Sequence, residues 1–256
     1  MRADPEWMFA LLLVFVRASA MFLASPLFGG SVPGRVRVLF CFMFAVCLVP
    51  VVKDHIGAVP PDMYSLMLSV LNEVGVGMII GLCIQLLLMA AQMAGALMDM
   101  QLGFQMMQMF NPQMGGQATV LGQFKFLLFL VLIFLVNGHH MMLTAFVQSY
   151  NSEFSFSSQN LGSIKDGLMH MVGSASVLAM QIAAPVAAVS FIVDAASGVI
   201  NKSIPQMPVS MITMGAKTSL GIMAMALGLP LMVVAVQAGL AHTGEQLAHI
   251  LTVASR

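Results

Sequence analysis

The fold of this chain follows from one continuous apolar stretch, residues 66–98, which reads LMLSVLNEVGVGMIIGLCIQLLLMAAQMAGALM. Its only charged residue is Glu73. About 20 apolar residues cross the roughly 30 Å hydrocarbon core of a bilayer, so this stretch is longer than one crossing needs. As a straight helix it would extend about 50 Å. The stretch therefore predicts a long membrane helix that tilts, bends or continues outside the bilayer within other protein.

Further apolar stretches lie on both sides of it, at roughly 7–28, 36–52, 118–149, 168–200 and 208–241. Pro185 and Pro230 interrupt the last two, and a proline inside a helix predicts a kink. The 256 residues are 59% hydrophobic and 8% charged, whereas soluble domains have about 25% charged residues. The sequence thus predicts an all-α polytopic membrane protein built from long kinked helical hairpins.

Composition and motifs exclude several classes of function. Ten basic and ten acidic residues balance, so charge gives no reason to expect binding to nucleic acid. The three cysteines lie inside apolar runs, and the six histidines show no metal-ligand spacing. Phosphate-binding, dinucleotide-binding and nucleophile motifs are absent from the sequence. We therefore expect no metal, no cofactor and no enzymatic activity.

Five charged residues lie inside the apolar stretches, away from their ends: Arg17, Glu73, Lys125, Asp194 and Lys217. A charge near the bilayer centre costs at least about 2.5–3.5 kcal/mol, so such residues normally face protein or an aqueous cavity. They could form a proton or ion path, or they could be structural residues that pair with charges on neighbouring helices. With three cations and two anions available, the structural interpretation is favoured.

The segment Met100–Phe124 is uncharged yet too polar to span a membrane, because it carries six glutamines and Asn111. Its centre, Asn111 to Gly116, reads NPQMGG, which is turn chemistry that breaks a helix. Residues 89–114 include eight methionines, whose unbranched side chains adapt to irregular gaps. Irregular backbone does not face lipid, but it can be buried in protein or line a cavity. The residues alone leave two interpretations open, a packed re-entrant loop and a deformable plug in a pore.

Four short stretches resemble the FliR/SctT family of type III export-gate proteins. They are SPLFG at 25–29 with VPGRVR at 32–37, DMQLGF at 99–104 running into NP at 111–112, NGHH at 137–140, and IPQ at 204–206. The resemblance covers nearly the whole chain. One departure is Pro208, where the family often has a polar residue.

The resemblance implies a FliP-like helical half (1–160) followed by a FliQ-like hairpin (161–256) in a helical pore assembly. It implies FliP-like and FliQ-like subunits and a FlhB-like switch protein as partners, with unfolded secreted proteins as substrates. The place would be the bacterial inner membrane, at the flagellar basal body. The loop at about 105–117 matches the family's plug, and this favours the plug over the packed loop. The candidate plug residues are Met106, Met107, Met109, Phe110, Asn111, Pro112, Met114, Gly115 and Gly116.

Three alternatives stay open beside a flagellar export gate. A small-solute secondary transporter would use Asp194 or Glu73 as a coupling site. A membrane scaffold without a pore would keep the helix packing and use the methionines as filler. An export-gate homologue of an injectisome would share the same sequence features.

Overall fold

The computed structural model describes residues 5–25, 33–57, 59–104, 120–150, 161–203 and 209–253. Within these ranges the regular structure is entirely helical, which confirms the predicted all-α class. A single 3-10 turn, Lys53–His55, follows the second helix. The α-helices are α1 (Pro5–Ala24), α2 (Gly34–Val52), α3 (Met63–Leu102), α4 (Val120–Leu135), α5 (Gly138–Gln148), α6 (Leu161–Ser203), α7 (Val209–Leu227) and α8 (Leu229–Val253).

Two helices are much longer than a bilayer crossing. Helix α3 has 40 residues and α6 has 43, so at about 1.5 Å per residue each extends roughly 60 Å or more. The helices α1, α2, α3 and α6 are each long and apolar enough to cross a membrane, and up to six spans result if two broken pairs are counted. The prediction of a polytopic membrane protein with over-long helices is confirmed.

The other two long apolar stretches are each divided into two helices. The stretch 118–149 breaks after Leu135, and α5 begins behind Asn137, whose φ of 59° is left-handed. Asparagine adopts this conformation more readily than most residues. The stretch 208–241 breaks at Gly228, two residues before Pro230, where the proline predicted an interruption. Helix α6, in contrast, runs through Pro185 without ending.

The end of α3 is fixed by a glycine. Gly103 has a φ of 80°, and its N–H donates to the carbonyl of Met100 at 3.4 Å. The N–H of Phe104 donates to the carbonyl of Asp99 at 3.0 Å. These two bonds form a Schellman motif, in which a left-handed glycine stops the helix and satisfies its last carbonyls. The last helical residue is therefore Leu102, within the DMQLGF stretch.

The described helices group into two compact units that alternate along the chain. The first comprises Met1–Leu86, Asn137–Val172 and Ala241–Arg256, and the second comprises Leu87–Val136 and Gly173–Leu240. The division into a FliP-like half (1–160) and a FliQ-like hairpin (161–256) is based on resemblance to other chains, and it remains a prediction.

Within the first unit, α1 packs against α2 through aromatic side chains. The ring of Phe22 meets those of Phe40 and Phe44 edge-on, with centroids 5.3 and 5.5 Å apart. Phe146 of α5 adds a third edge-on contact to Phe44, at 5.5 Å. Edge-to-face pairs of this kind are favourable beyond their buried area.

Small residues let α3 approach the backbone of α1 in the same unit. A Cβ placed on Gly77 would overlap the main-chain carbonyl of Arg17, and one on Gly81 would lie 2.6 Å from the carbonyl oxygen of Met21. Gly77 and Gly81 are one helical turn apart, so they lie on one face of α3. This face allows the close backbone contact that small residues provide in membrane helices.

We expect Gly77→Ala to destabilise the protein by about 1–3 kcal/mol, because the added methyl group overpacks a backbone contact. The measurement is thermal unfolding of the purified protein or complex in detergent. Gly173→Ala is the matched control, since a Cβ at Gly173 meets nothing within 4 Å; it should leave stability unchanged or raise it slightly. Equal effects of the two substitutions would contradict the packing described above.

Candidate functional site

The most completely buried charges of the first unit form one ion pair. Arg17 of α1 and Glu73 of α3 are 6% and 8% exposed. The Arg17 Nη2 donates to Glu73 Oε1 at 3.0 Å, and its Nε donates to Oε2. This is the two-pronged geometry in which arginine and a carboxylate bind most strongly. Each charge is thereby compensated in a place where lipid would offer it no partner.

The arginine makes two further contacts with residues that directly follow α5. Its Nη1 donates to the Oγ of Ser149 at 2.7 Å, and its guanidinium carbon lies 3.6 Å from the centroid of the Tyr150 ring. The Ser149 hydroxyl donates in turn to the carbonyl of Phe146 at 2.6 Å. Cation–π contacts gain strength where water is excluded. One buried arginine therefore joins α1 and α3 to the end of α5.

The second ion pair lies in the second unit and is more open. Lys217 of α7 donates to both carboxylate oxygens of Asp194 of α6, at 2.9 and 2.7 Å. The Asp194 side chain is 54% exposed and that of Lys217 is 17% exposed. This pair is therefore less enclosed by the chain's own side chains than the pair of Arg17 and Glu73. The carboxylate nevertheless has a cation beside it and is not a lone intramembrane charge.

Lys125 is the exception among the five charges. It is 2% exposed, and its Nζ contacts the Met232 sulfur at 3.6 Å. No carboxylate oxygen of the described residues lies within 4.0 Å of it. Four of the five intramembrane charges are thus paired, and Lys125 departs from the pairing that the sequence predicts. Whether the five charges are structural remains a prediction.

The candidate plug lies outside the described residues. All nine positions, from Met106 to Gly116, fall within 105–119, so its geometry is not part of this structure. The described parts of the chain contain no group of three or more histidine, cysteine, aspartate or glutamate residues arranged to hold a metal ion.

Asp99 is a buried polar residue whose role sequence reasoning missed. Its carboxylate is completely buried and accepts hydrogen bonds from the N–H groups of Leu121 and Gly122 at 2.9 and 3.3 Å. The residue stands one position beyond the apolar stretch 66–98, so the pattern of charges within the apolar stretches does not include it. The available signal was its place four residues before Gly103, in the last turn of a helix.

Comparison with known protein families gives a match over nearly the whole chain. The family described as bacterial export proteins, family 1, matches residues 8–243. This range contains every described helix except the first residues of α1 and the last residues of α8. The chain belongs to this family of bacterial export proteins. The resemblance seen in the four short stretches is confirmed.

Individual relatives of the export family agree with this assignment. The chain is 32% identical to the flagellar biosynthetic protein FliR of Bacillus subtilis, over 81% of each chain. It is 29% identical to the FliR of Caulobacter vibrioides, over 85% of this chain and 87% of the relative. It is also 28% identical to the surface presentation of antigens protein SpaR of Shigella flexneri, over 82% of this chain and 80% of the relative. The predicted function, that of a type III export-gate component, is confirmed at the level of the family.

We expect Glu73→Gln to destabilise this export protein by about 3–5 kcal/mol, because removal of one partner leaves the Arg17 charge buried and uncompensated. Asp194→Asn, which breaks the pair that this chain encloses less completely, is the comparison and should cost less. The readouts are thermal unfolding in detergent and the amount of protein in the membrane. A double variant, Arg17→Met with Glu73→Leu, should recover most of the loss, and failure to recover would show that the pair is not the cause.

Lys125→Met should not destabilise the protein in the way that Glu73→Gln does. The substitution removes a buried cation whose only described polar contact is a thioether, and it keeps most of the side-chain volume. We expect unfolding temperature and assembly to be unchanged or improved. A loss of assembly comparable to that of Glu73→Gln would show that Lys125 has an anionic partner in the complex.

Proposed function

We propose that this chain is a core component of a flagellar type III export gate. In this proposal it forms, with FliP-like and FliQ-like subunits, a channel that passes unfolded proteins across the bacterial inner membrane at the flagellar basal body. A FlhB-like protein is the expected switch partner. The uncharged, methionine-rich loop helps to close the channel at rest. The chain acts as a conduit and catalyses no reaction of its own.

The observation that carries this proposal is the family match over residues 8–243. The relatives named above include flagellar FliR proteins and a SpaR protein, with more than three quarters of each chain aligned. Their names describe flagellar biosynthesis and surface presentation. A shared role in protein export explains why both groups resemble one chain, and an injectisome gate remains the nearest alternative.

The helices support an assembled state. Helices α3 and α6 are about twice as long as the roughly 30 Å hydrocarbon core requires. Apolar side chains beyond the bilayer need protein around them, because water does not solvate them favourably. In the isolated chain, apolar side chains along α6 are strongly exposed, including Phe191 and Ile192 at 74% and 66%. Partner subunits around these surfaces are what an export complex would provide.

The contacts of the charges argue against a small-solute transporter. Such a transporter would use Glu73 or Asp194 as a coupling site, which requires a carboxylate able to exchange its cation or proton. Glu73 is held by two bonds from Arg17, and Asp194 accepts both of its oxygen contacts from Lys217. Neither carboxylate is free to bind a coupling ion without breaking a salt bridge.

Two properties of the loop support its proposed role in closing the channel, namely the absence of charge and the clustered methionines. The segment contains no charge, so neither lipid nor bulk water is its expected environment. Methionine side chains can seal an irregular gap and repack around a passing chain. An apolar constriction also excludes ions, because water withdraws from it.

We expect deletion of Gln105–Gly116 to leave the complex assembled and to make the membrane permeable to small ions and solutes. Conversion of Met106, Met107, Met109 and Met114 to serine should do the same, because polar side chains cannot form a dewetted seal. Ion conductance and sensitivity of cells to small toxic solutes measure the leak, with co-purification of the FliP-like and FliQ-like subunits as the assembly readout.

The matched control converts the same four methionines to leucine, which keeps an apolar constriction of similar volume. This variant should remain tight to ions, although its stiffer side chains are expected to slow export. Normal assembly of the serine variant without any rise in leak would show that the loop is only packing.

A further inference from the structure

The ion pair between α6 and α7 lies at the outside of the chain. Lys217 donates to both carboxylate oxygens of Asp194, at 2.9 and 2.7 Å, yet the Asp194 side chain is 54% exposed. A carboxylate offers about four acceptor positions, and one ammonium group occupies two of them here. The carboxylate can therefore accept a further donor from outside the chain.

The lysine of this pair is on the inner side. Gly221, one turn after Lys217, faces the Leu102 side chain at the end of α3. Met214, about one turn before Lys217, lies against Gly103, where a Cβ would be 3.2 Å from the end of its side chain. Positions 214, 217 and 221 share one face of α7. This face packs on the end of α3, so the ammonium is the inner member of the pair and the carboxylate is the outer one.

The carboxylate stands within an exposed, largely apolar face of α6. Phe191, Asp194, Ala195 and Gly198 follow one another at the spacing of a single helix face, and all four are exposed. Phe191 is 74% exposed, and a Cβ on Gly198 would meet nothing within 4 Å. We call these four residues the outer face of α6.

Neither lipid nor water suits the outer face of α6. Hydrocarbon offers no donor to a carboxylate, and water does not solvate an exposed phenyl ring favourably. Apolar exposure also continues beyond the carboxylate, since Val199 is 69% exposed. A helix from another protein meets both demands. Small residues such as Ala195 and Gly198 permit a close approach of backbones, and a side chain of that helix can donate to the carboxylate.

We infer that the outer face of α6 is a docking site for an apolar helix of a different subunit, which presents one hydrogen-bond-donating side chain to Asp194. This rests on the proposed function, in which FliP-like and FliQ-like subunits assemble with this chain. A single donor on an otherwise apolar helix fixes the register of the contact, because only one position along that helix meets the carboxylate.

The first test reverses the ion pair in cells that express the whole export gate. Asp194→Lys combined with Lys217→Asp keeps a salt bridge within the chain but places a cation on the outer face of α6. Recovery of the FliP-like and FliQ-like subunits on the tagged chain should fall about tenfold, as expected when a contact loses a hydrogen bond to a charged group. Undiminished recovery would show that only the pairing within the chain matters, and it would overturn the docking site.

Gly198→Leu tests the same face without changing a charge. Because a Cβ at Gly198 meets nothing in this chain, the amount of the chain in the membrane should not change. The leucine side chain fills the space of the docked helix, so recovery of the partner subunits should again fall about tenfold. If the reversed pair fails to accumulate, Gly198→Leu decides the question by itself.

Gly173→Leu is the matched control on the same helix, since a Cβ at Gly173 also meets nothing within 4 Å and the residue lies outside the outer face of α6. It should assemble normally. Equal recovery with both leucine variants, whether normal or reduced, would overturn the docking site, because the effect would then not depend on this face.

A photo-crosslinking side chain at Ala195 identifies the occupant in the purified complex. We expect a crosslink to a FliP-like or FliQ-like subunit. Crosslinks only to lipid or to a second copy of this chain would overturn the docking site and leave the export gate itself intact. A wild-type chain that recovers neither subunit would overturn the proposed function together with this inference.

Discussion

The structure depends on one constraint: each charge and each hydrogen-bonding group that is buried away from water must have a partner within the protein. With 59% hydrophobic residues, the chain has little polar surface of its own, so each buried polar group needs a partner from the protein. Arg17 meets this demand with the Glu73 carboxylate, the Ser149 hydroxyl and the face of Tyr150. Because these partners come from separate helices, satisfying one guanidinium also fixes how those helices pack. A few polar contacts among apolar side chains therefore determine which helices of this unit pack together.

The sequence predicts the helices well because their signals are local. Length and apolarity indicate the long helices, and Pro230 indicates the break beside Gly228. The contacts of the charges are different, because a side chain on one helix is compatible with several partners on others. The sequence predicts that the carboxylates of Glu73 and Asp194 pair with cations. It does not show which of the three cations, Arg17, Lys125 or Lys217, has no carboxylate partner. That selection is made by the relative rotation of packed helices.

Asp99 shows a second limit of sequence reasoning. Read along the chain, it is an acidic residue at the C-terminal end of a helix, where the helix dipole disfavours a negative charge. Its physical rationale appears only when the first turn of α4 lies against it, because the unpaired N–H groups of that turn supply the compensating positive potential. The partner residues are 22 and 23 positions away. The local pattern marks Asp99 as an unusual residue for the last turn of a helix, but it does not identify these partners.

Three residues of the DMQLGF stretch, Asp99, Leu102 and Gly103, are required by the contacts that they make. Gly103 is required for its left-handed φ of 80°, and a Cβ there would also lie 3.2 Å from the end of the Met214 side chain. Leu102 packs where Gly221 leaves no side chain in its way. Asp99 needs its carboxylate to accept the N–H groups of Leu121 and Gly122. Gly95, one turn earlier, must be small, because a Cβ there would lie 2.5 Å from the nitrogen of Gly122. The glycine ends α3 at one defined point, and Asp99 and Gly95 hold the first turn of α4 beside it. The DMQLGF stretch, which carries part of the family resemblance, thus has a physical role, because its residues determine where α3 ends and which turn of α4 lies against that end.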